Sequence, residues 1–271
     1  MTLRILIACL AAHLFSFVGA ETAPAPLLDK CSILDQAHRL VLAHDDAGAA
    51  QVLEDYFESS RSVPALLGVR NSYIISEWAC VAATYPPARS AALALRDRDS
   101  TRLLAGDDIP DGRRNPVQNI PNDLFIEIAS IDEHFGENAH AVTLFIRLDE
   151  QKPHLAWFCF AAIRDRLFAV GKNELCLKYI GDPLDYVKLA IEVHASEQAF
   201  EQSAQAARMP AEVLEAELRY FRHDMDFVVS VLAESGKLEV CHVIGQNPDL
   251  MRIFPGWTVH VDRLVERHRD F

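Results

Sequence analysis

Between residues 211 and 235, apolar side chains return at alternating four- and three-residue steps: Leu214, Leu218, Phe221, Met225, Val228 and Leu232. That spacing draws one stripe on a helix of 3.6 residues per turn, and Glu215, Arg219, Arg222 and Asp226 fall off it. Pro210 stands at its start and Gly236 just past its end, the positions where helices accept proline and favour glycine. Shorter seams of the same period are Leu27–Cys31–Leu34–Ala37–Val41, Leu124–Ile128–Ile131–Phe135 and Ala156–Phe160–Ile163–Leu167–Val170. Strand-like alternation occurs only over Trp257-Thr258-Val259-His260-Val261, and there Trp257, Val261, Leu264 and His268 fit a terminal amphipathic helix better. The pattern predicts an all-α fold with no sheet of three or more strands.

Tight turns divide these helices into antiparallel hairpins. Turn residues cluster at His44-Asp45-Asp46, Tyr85-Pro86-Pro87, Phe135-Gly136-Glu137, Val170-Gly171-Lys172 and Ser235-Gly236-Lys237. Gly171-Lys172-Asn173-Glu174-Leu175-Cys176 and Gly236-Lys237-Leu238-Glu239-Val240-Cys241 share Gly, Lys, Glu and Cys at equal offsets, and Pro183 matches Pro248. Gly136 precedes Gly171 by about one helix-pair period of roughly 34 residues, and Gly236 follows Gly171 by about two, the mark of a stacked α-solenoid. Within this array, residues 122–153 resemble a tetratricopeptide repeat. Phe125, Ile128 and Ala129 fall where that repeat packs its first helix; Ala141, Phe145 and Leu148 fall where it packs its second; Pro153 opens the next unit. Residues 157–183 are similar but degenerate, with Arg164 at a small-residue position, and 222–248 and 31–62 keep mainly the spacing. The resemblance implies a short, irregular α-solenoid. An irregular bundle of hairpins is the competing arrangement, favoured by residues 183–209, which do not divide into a standard unit.

Residues 106–121 interrupt the helical period with three prolines and two glycines, so an internal boundary is expected there. The expected organisation is a secretory signal at 1–20, an Ala/Pro linker at 21–26, hairpins over 27–105, the long loop, and a repeat array over 122–271. The signal reading rests on Arg4, the uncharged run from Ile5 to Val18 and the small residues Val18-Gly19-Ala20. Leu6-Ile7-Ala8-Cys9 resembles a lipobox but leaves most of the apolar run behind the cut. The chain is therefore expected to be exported, periplasmic or secreted, without stable membrane insertion after cleavage.

Charge narrows the partners. The chain has 26 basic and 39 acidic residues among 271, and removal of Arg4 with the signal takes the net charge from −13 to −14. A polybasic nucleic-acid binder is excluded by this balance, and at 50% hydrophobic residues the chain is not disordered. Cleavage also leaves Cys31, Cys80, Cys159, Cys176 and Cys241, an odd and scattered set that does not form a disulfide framework. Cys176 and Cys241 stand where the repeat usually has a small packed residue, so they are expected to be buried and not bridged to each other.

No motif for catalysis emerges. Asp107, Asp108, Asp111 and Gly112 suggest a calcium loop, but Ile109 and Gln118 occupy positions that need oxygen ligands. His134 with Glu137 and His140, Glu192 with His194 and Glu197, and His223 with Asp224 and Asp226 lack the spacing of a zinc helix. Gly-x-Ser-x-Gly, Cys-x-x-Cys and Gly-rich phosphate loops are absent, and no cofactor is expected. The resemblance to the repeat family implies a protein- or peptide-binding scaffold whose first helices present Ser130, Glu133, His134, Asp165, His223 and Asp226. That set is acidic, which points to a basic partner. The alternative is an exported all-α hydrolase with a carboxylate or His-Asp site.

Overall fold

Four hairpins close on the same backbone turn. At His44, Gly136, Gly171 and Gly236 the chain enters the left-handed region, with φ of 59°, 74°, 72° and 73°. The next amide then reaches back to a carbonyl five residues earlier: Asp45 to Leu40, Glu137 to Asp132, Lys172 to Leu167 and Lys237 to Leu232, at 2.7–2.9 Å. This is the Schellman closure, which satisfies the carbonyls a helix end leaves open. The next helix starts two residues past that left-handed residue, so the hairpins are tight.

The computed structural model describes residues 26–61, 63, 66–106, 123–201 and 211–269. The secretory segment, nearly all of the linker and of the long loop, and Pro210 lie outside them. The chain divides at Ile163/Arg164 into two compact units. The first contains α1 (Pro26–Leu42) and α2 (Asp46–Ser60). A short turn at Leu67–Val69 then passes through a π-helical stretch, Arg70–Ile74, into α3 (Ile75–Thr84). It continues with α4 (Pro86–Ala105), α5 (Asp123–His134), α6 (Asn138–Gln151) and the start of α7 (Pro153–Ala169). The second unit takes the end of α7, then α8 (Asn173–Ile180), α9 (Pro183–Glu201) and α10 (Ala211–Glu234). It ends with α11 (Leu238–Gly245), α12 (Pro248–Ile253) and α13 (Trp257–Arg269). No strand occurs among the described residues. The fold is all-α, and the terminal segment from Trp257 is the helix that its spacing predicts.

The sequence boundary at 106–121 falls inside the first unit. The helices on either side of it are joined in the interior, because Arg96 on α4 meets Asp132 on α5 at 3.0 Å. Around this, Leu53, Phe57, Ile74, Ile75 and Trp78 form an apolar core in which Phe57 and Trp78 meet edge to face, centroids 6.0 Å apart. The six core positions read from 122–153 are all buried, and Phe125 of α5 meets Phe145 of α6 edge to face at 6.2 Å.

In the second unit the 65-residue sequence echo has a structural counterpart. The Cys176 thiol donates to the Arg164 carbonyl at 3.9 Å, and the Cys241 thiol to that of Val229 at 3.6 Å, each twelve residues back. Both cysteines are buried and not bridged to each other, as expected; Cys159 is buried and Cys80 exposed. Asp182 accepts from the amides of Leu184 and Asp185, and Asn247 from those of Asp249 and Leu250, so Pro183 and Pro248 open capped helices. Three seam residues depart from expectation. Val170 is exposed because it lies beyond the end of α7, and Val41 because it lies in the last turn of α1. Leu218 is exposed because it sits one turn outside the stretch of α10 against which Phe254 packs, through Phe221.

Candidate functional site

The candidate binding residues occupy first helices of the hairpins, and the structure separates them into two groups. Ser130, Glu133 and His134 belong to the last turns of α5 in the first unit. Ser130 is half-buried, and its carbonyl lies 2.9 Å from Nδ1 of the exposed His134; Glu133 is exposed. His134 stands where a helix end favours a cation.

Asp165, His223 and Asp226 belong to the second unit, and there the chain does bring candidates together. Asp165 follows Arg164 on α7, and one residue of helix rotation sends the two in different directions. Arg164 turns inward, ion-paired with Asp224, 3.3 Å from the Tyr186 hydroxyl and 5.0 Å from the centre of the Phe227 ring. Burial opposes the guanidinium charge, but Asp224, Tyr186 and Asp165 outweigh it and raise Arg164 above the ordinary arginine value. Burial, with Asp224, likewise pushes the Tyr186 hydroxyl up. Asp165 turns outward, and its Oδ2 lies 3.0 Å from Nε2 of His223 on α10, with both side chains more than half exposed.

One turn further along α10, Asp226 has a histidine of its own. His260 Nε2 on α13 lies 2.7 Å from Asp226 Oδ1, with the side chains 23% and 29% exposed. His260 is also placed against Trp257, with ring centroids 5.5 Å apart, and the Trp257 indole N–H donates to the Ile244 carbonyl at 3.0 Å. Asp226 thus helps to dock the terminal helix, as does Glu234, which faces His268 at 3.0 Å. His260 was not legible as a site residue, since its partner lies 34 residues away and periodicity reads the segment only as a terminal amphipathic helix.

The other histidine–carboxylate groupings of the sequence disperse. His140 turns to Asp132 at 2.8 Å, Glu137 pairs with Arg89 at 2.7 Å, and His194 stacks on Phe221 at 4.6 Å. Among the described residues no group of three or more His, Cys, Asp or Glu side chains could hold a metal ion. The acidic loop with Asp107, Asp108 and Asp111 lies outside them. No serine, threonine or cysteine among them is hydrogen-bonded to His223.

A second constellation went unread in the sequence. Arg61, at the end of α2, is paired with Asp99 of α4 and lies 3.0 Å from Glu127 of α5. Arg70, in the π-helical stretch, donates Nε to Glu127 at 2.9 Å and Nη1 to the Ser60 carbonyl at 2.7 Å. Asp99, Glu127, Asp132, Arg61, Arg70 and Arg96 are all buried. Burial opposes the Arg61 charge, yet Glu127 and Asp99 hold its pKa above the ordinary value. The available signal was a charge at a seam position: Glu127 follows Leu124 by three, and Asp99 lies between Leu95 and Leu103. This buried network joins α2, α4 and α5, and reaches the surface through Asp97, Arg98 and His140.

No family model, no curated protein and no solved structure matches the chain. The function is therefore read from these residues alone.

Proposed function

We propose that the protein is an exported helical scaffold, with its hairpins stacked as a short tetratricopeptide-like solenoid, that binds a basic protein or peptide segment. The observation that carries this reading is the 3.0 Å approach of His223 to Asp165. It makes neighbours of the outward edges of α7 and α10, which the repeat reading treats as one binding face. Asp165 offers that face an exposed carboxylate. A cationic side chain is its natural counterpart, worth about 0–1 kcal/mol per exposed pair, and acting mainly on the rate and orientation of association. The hydrolase reading would take the same pair as a histidine oriented by a carboxylate. It lacks a nucleophile bonded to that histidine among the described residues.

The test is fluorescence anisotropy of a fluorescein-labelled octalysine, with octaglutamate as the control, across a salt series. Asp165→Lys should slow association and flatten its salt dependence, and octaglutamate should not bind the wild type. Equal affinities and salt slopes for the two proteins would reject the acidic face and bring the hydrolase reading forward.

A further inference from the structure

We infer that His223 is a displaceable blocking group over Asp165, so that a basic ligand gains this carboxylate only by exchanging with the imidazole. The inference rests on the proposed binding face and names how that face is regulated. Two histidine–aspartate pairs stand one helical turn apart on α10, and their surroundings differ. His260 is held at three levels: by Asp226 at 2.7 Å, by the Trp257 ring at 5.5 Å, and by its place on a helix whose Trp257, Val261 and Leu264 are buried. Releasing His260 from Asp226 would disturb the docking of α13. His223 has no such support. Among the described residues Asp165 supplies its one hydrogen bond and no ring lies against it, and its side chain is 55% exposed. An imidazole so placed can rotate into water with the loss of that one hydrogen bond.

The carboxylate loses nothing in the exchange. Asp165 is 54% exposed, so an incoming ammonium or guanidinium can approach without desolvating a buried group. It then replaces the imidazole with a charge-assisted bond that is short and multiply donated. The pair therefore acts as an internal competitor. An exposed contact of this kind is worth at most about a fivefold factor in an equilibrium constant, which sets the size of the effect. Asp165 is the exchangeable acid of the face, and Asp226 belongs to the fold.

The experiment measures binding of fluorescein-labelled octalysine to the full chain at low salt for the wild type, H223A, D165N and the D165N/H223A double variant. H223A should bind up to about fivefold tighter than the wild type. D165N should bind more weakly, and the double variant should match D165N, because the histidine has nothing left to block. H223S repeats the measurement with a polar replacement, and a far-UV circular dichroism melt of each variant reports that the fold is kept. If D165N weakens binding while H223A and H223S bind no tighter than the wild type, the blocking role is overturned and the binding face stands. If D165N binds as the wild type does, the binding face itself falls, and this inference with it.

Discussion

In the first unit Arg61, Arg70 and Arg96 lie buried among Asp99, Glu127 and Asp132, whereas the second unit buries the thiols of Cys176 and Cys241 at matching positions of two similar hairpins. One interior is held in place by directional ionic contacts between helices distant in sequence. The other has one such pair, Arg164 with Asp224, and rests otherwise on apolar side chains such as Met225, Leu232, Leu250 and Trp257 and on repeated turns. The difference teaches where specificity resides. A buried pair removes alternatives, because any other register strands a charge, while a repeat obtains its register from the equal length of its hairpins.

The contrast is most sharply broken at Glu127. Glu127→Ala takes from buried Arg70 its carboxylate partner and leaves Arg61 to Asp99 and Glu58, and losing one partner of a buried pair costs about 3–5 kcal/mol. Urea unfolding followed by hydrogen exchange should show the loss in α2, α4 and α5. A change below about 1 kcal/mol would mean that the network is open to water.

A second test acts on the other unit through alkali. Burial pushes the Cys176 thiol, with Asp165 adding to it, and the Cys241 thiol up to about 11 from 9.0. Between about pH 9 and 11 the folded state keeps protons that the unfolded state releases. Stability is therefore flat below about pH 9 and falls as pH rises through that window, by the order of 1–3 kcal/mol per thiol. Denaturation midpoints measured from pH 8 to 11 should fall less steeply in a C176A/C241A variant. An equal slope in both proteins would remove the thiols from the account.

The smallest effect sharpens the equivalence of the repeated hairpins. Gly171 and Gly236 have φ of 72° and 73°, and a Cβ at either would meet nothing within 4 Å. Gly171→Ala and Gly236→Ala should each cost about 1–2 kcal/mol from backbone strain alone. Matching losses in urea denaturation are expected, and a twofold difference would show that the two turns are not interchangeable.

Legibility in the sequence followed this same division. The period of 211–235, the paired Gly-Lys-x-Glu-x-Cys turns and the proline starts are local, and local patterns foretell helices, hairpins and the burial of Cys176 and Cys241. The approach of Asp165 to His223 depends on two helices whose contacting residues are 58 apart, and only the resemblance to a repeat placed them on a common face. Arg70 and Glu127 are 57 apart with no repeat to relate them. Each looked like one more charge on a helix, because which seam position takes a charge is decided by a partner that periodicity does not reveal.

The π-helical stretch has a consequence for how this chain tolerates insertion and deletion. At Arg70–Ile74 the Ile75 amide reaches back to the Arg70 carbonyl, five residues away, so one turn holds an extra residue. Removing one residue there would restore the regular helix and rotate everything before it by about 100° relative to everything after it. If Ile75, Trp78 and Val81 kept their places in the apolar core, Arg70 would swing away from Glu127; if Arg70 kept its place, those three would turn out of the core. The widened turn lets a single helix meet an ionic demand at one end and an apolar demand at the other. Length changes in this segment should accordingly be far less tolerated than substitutions of its exposed Ser72 or Tyr73.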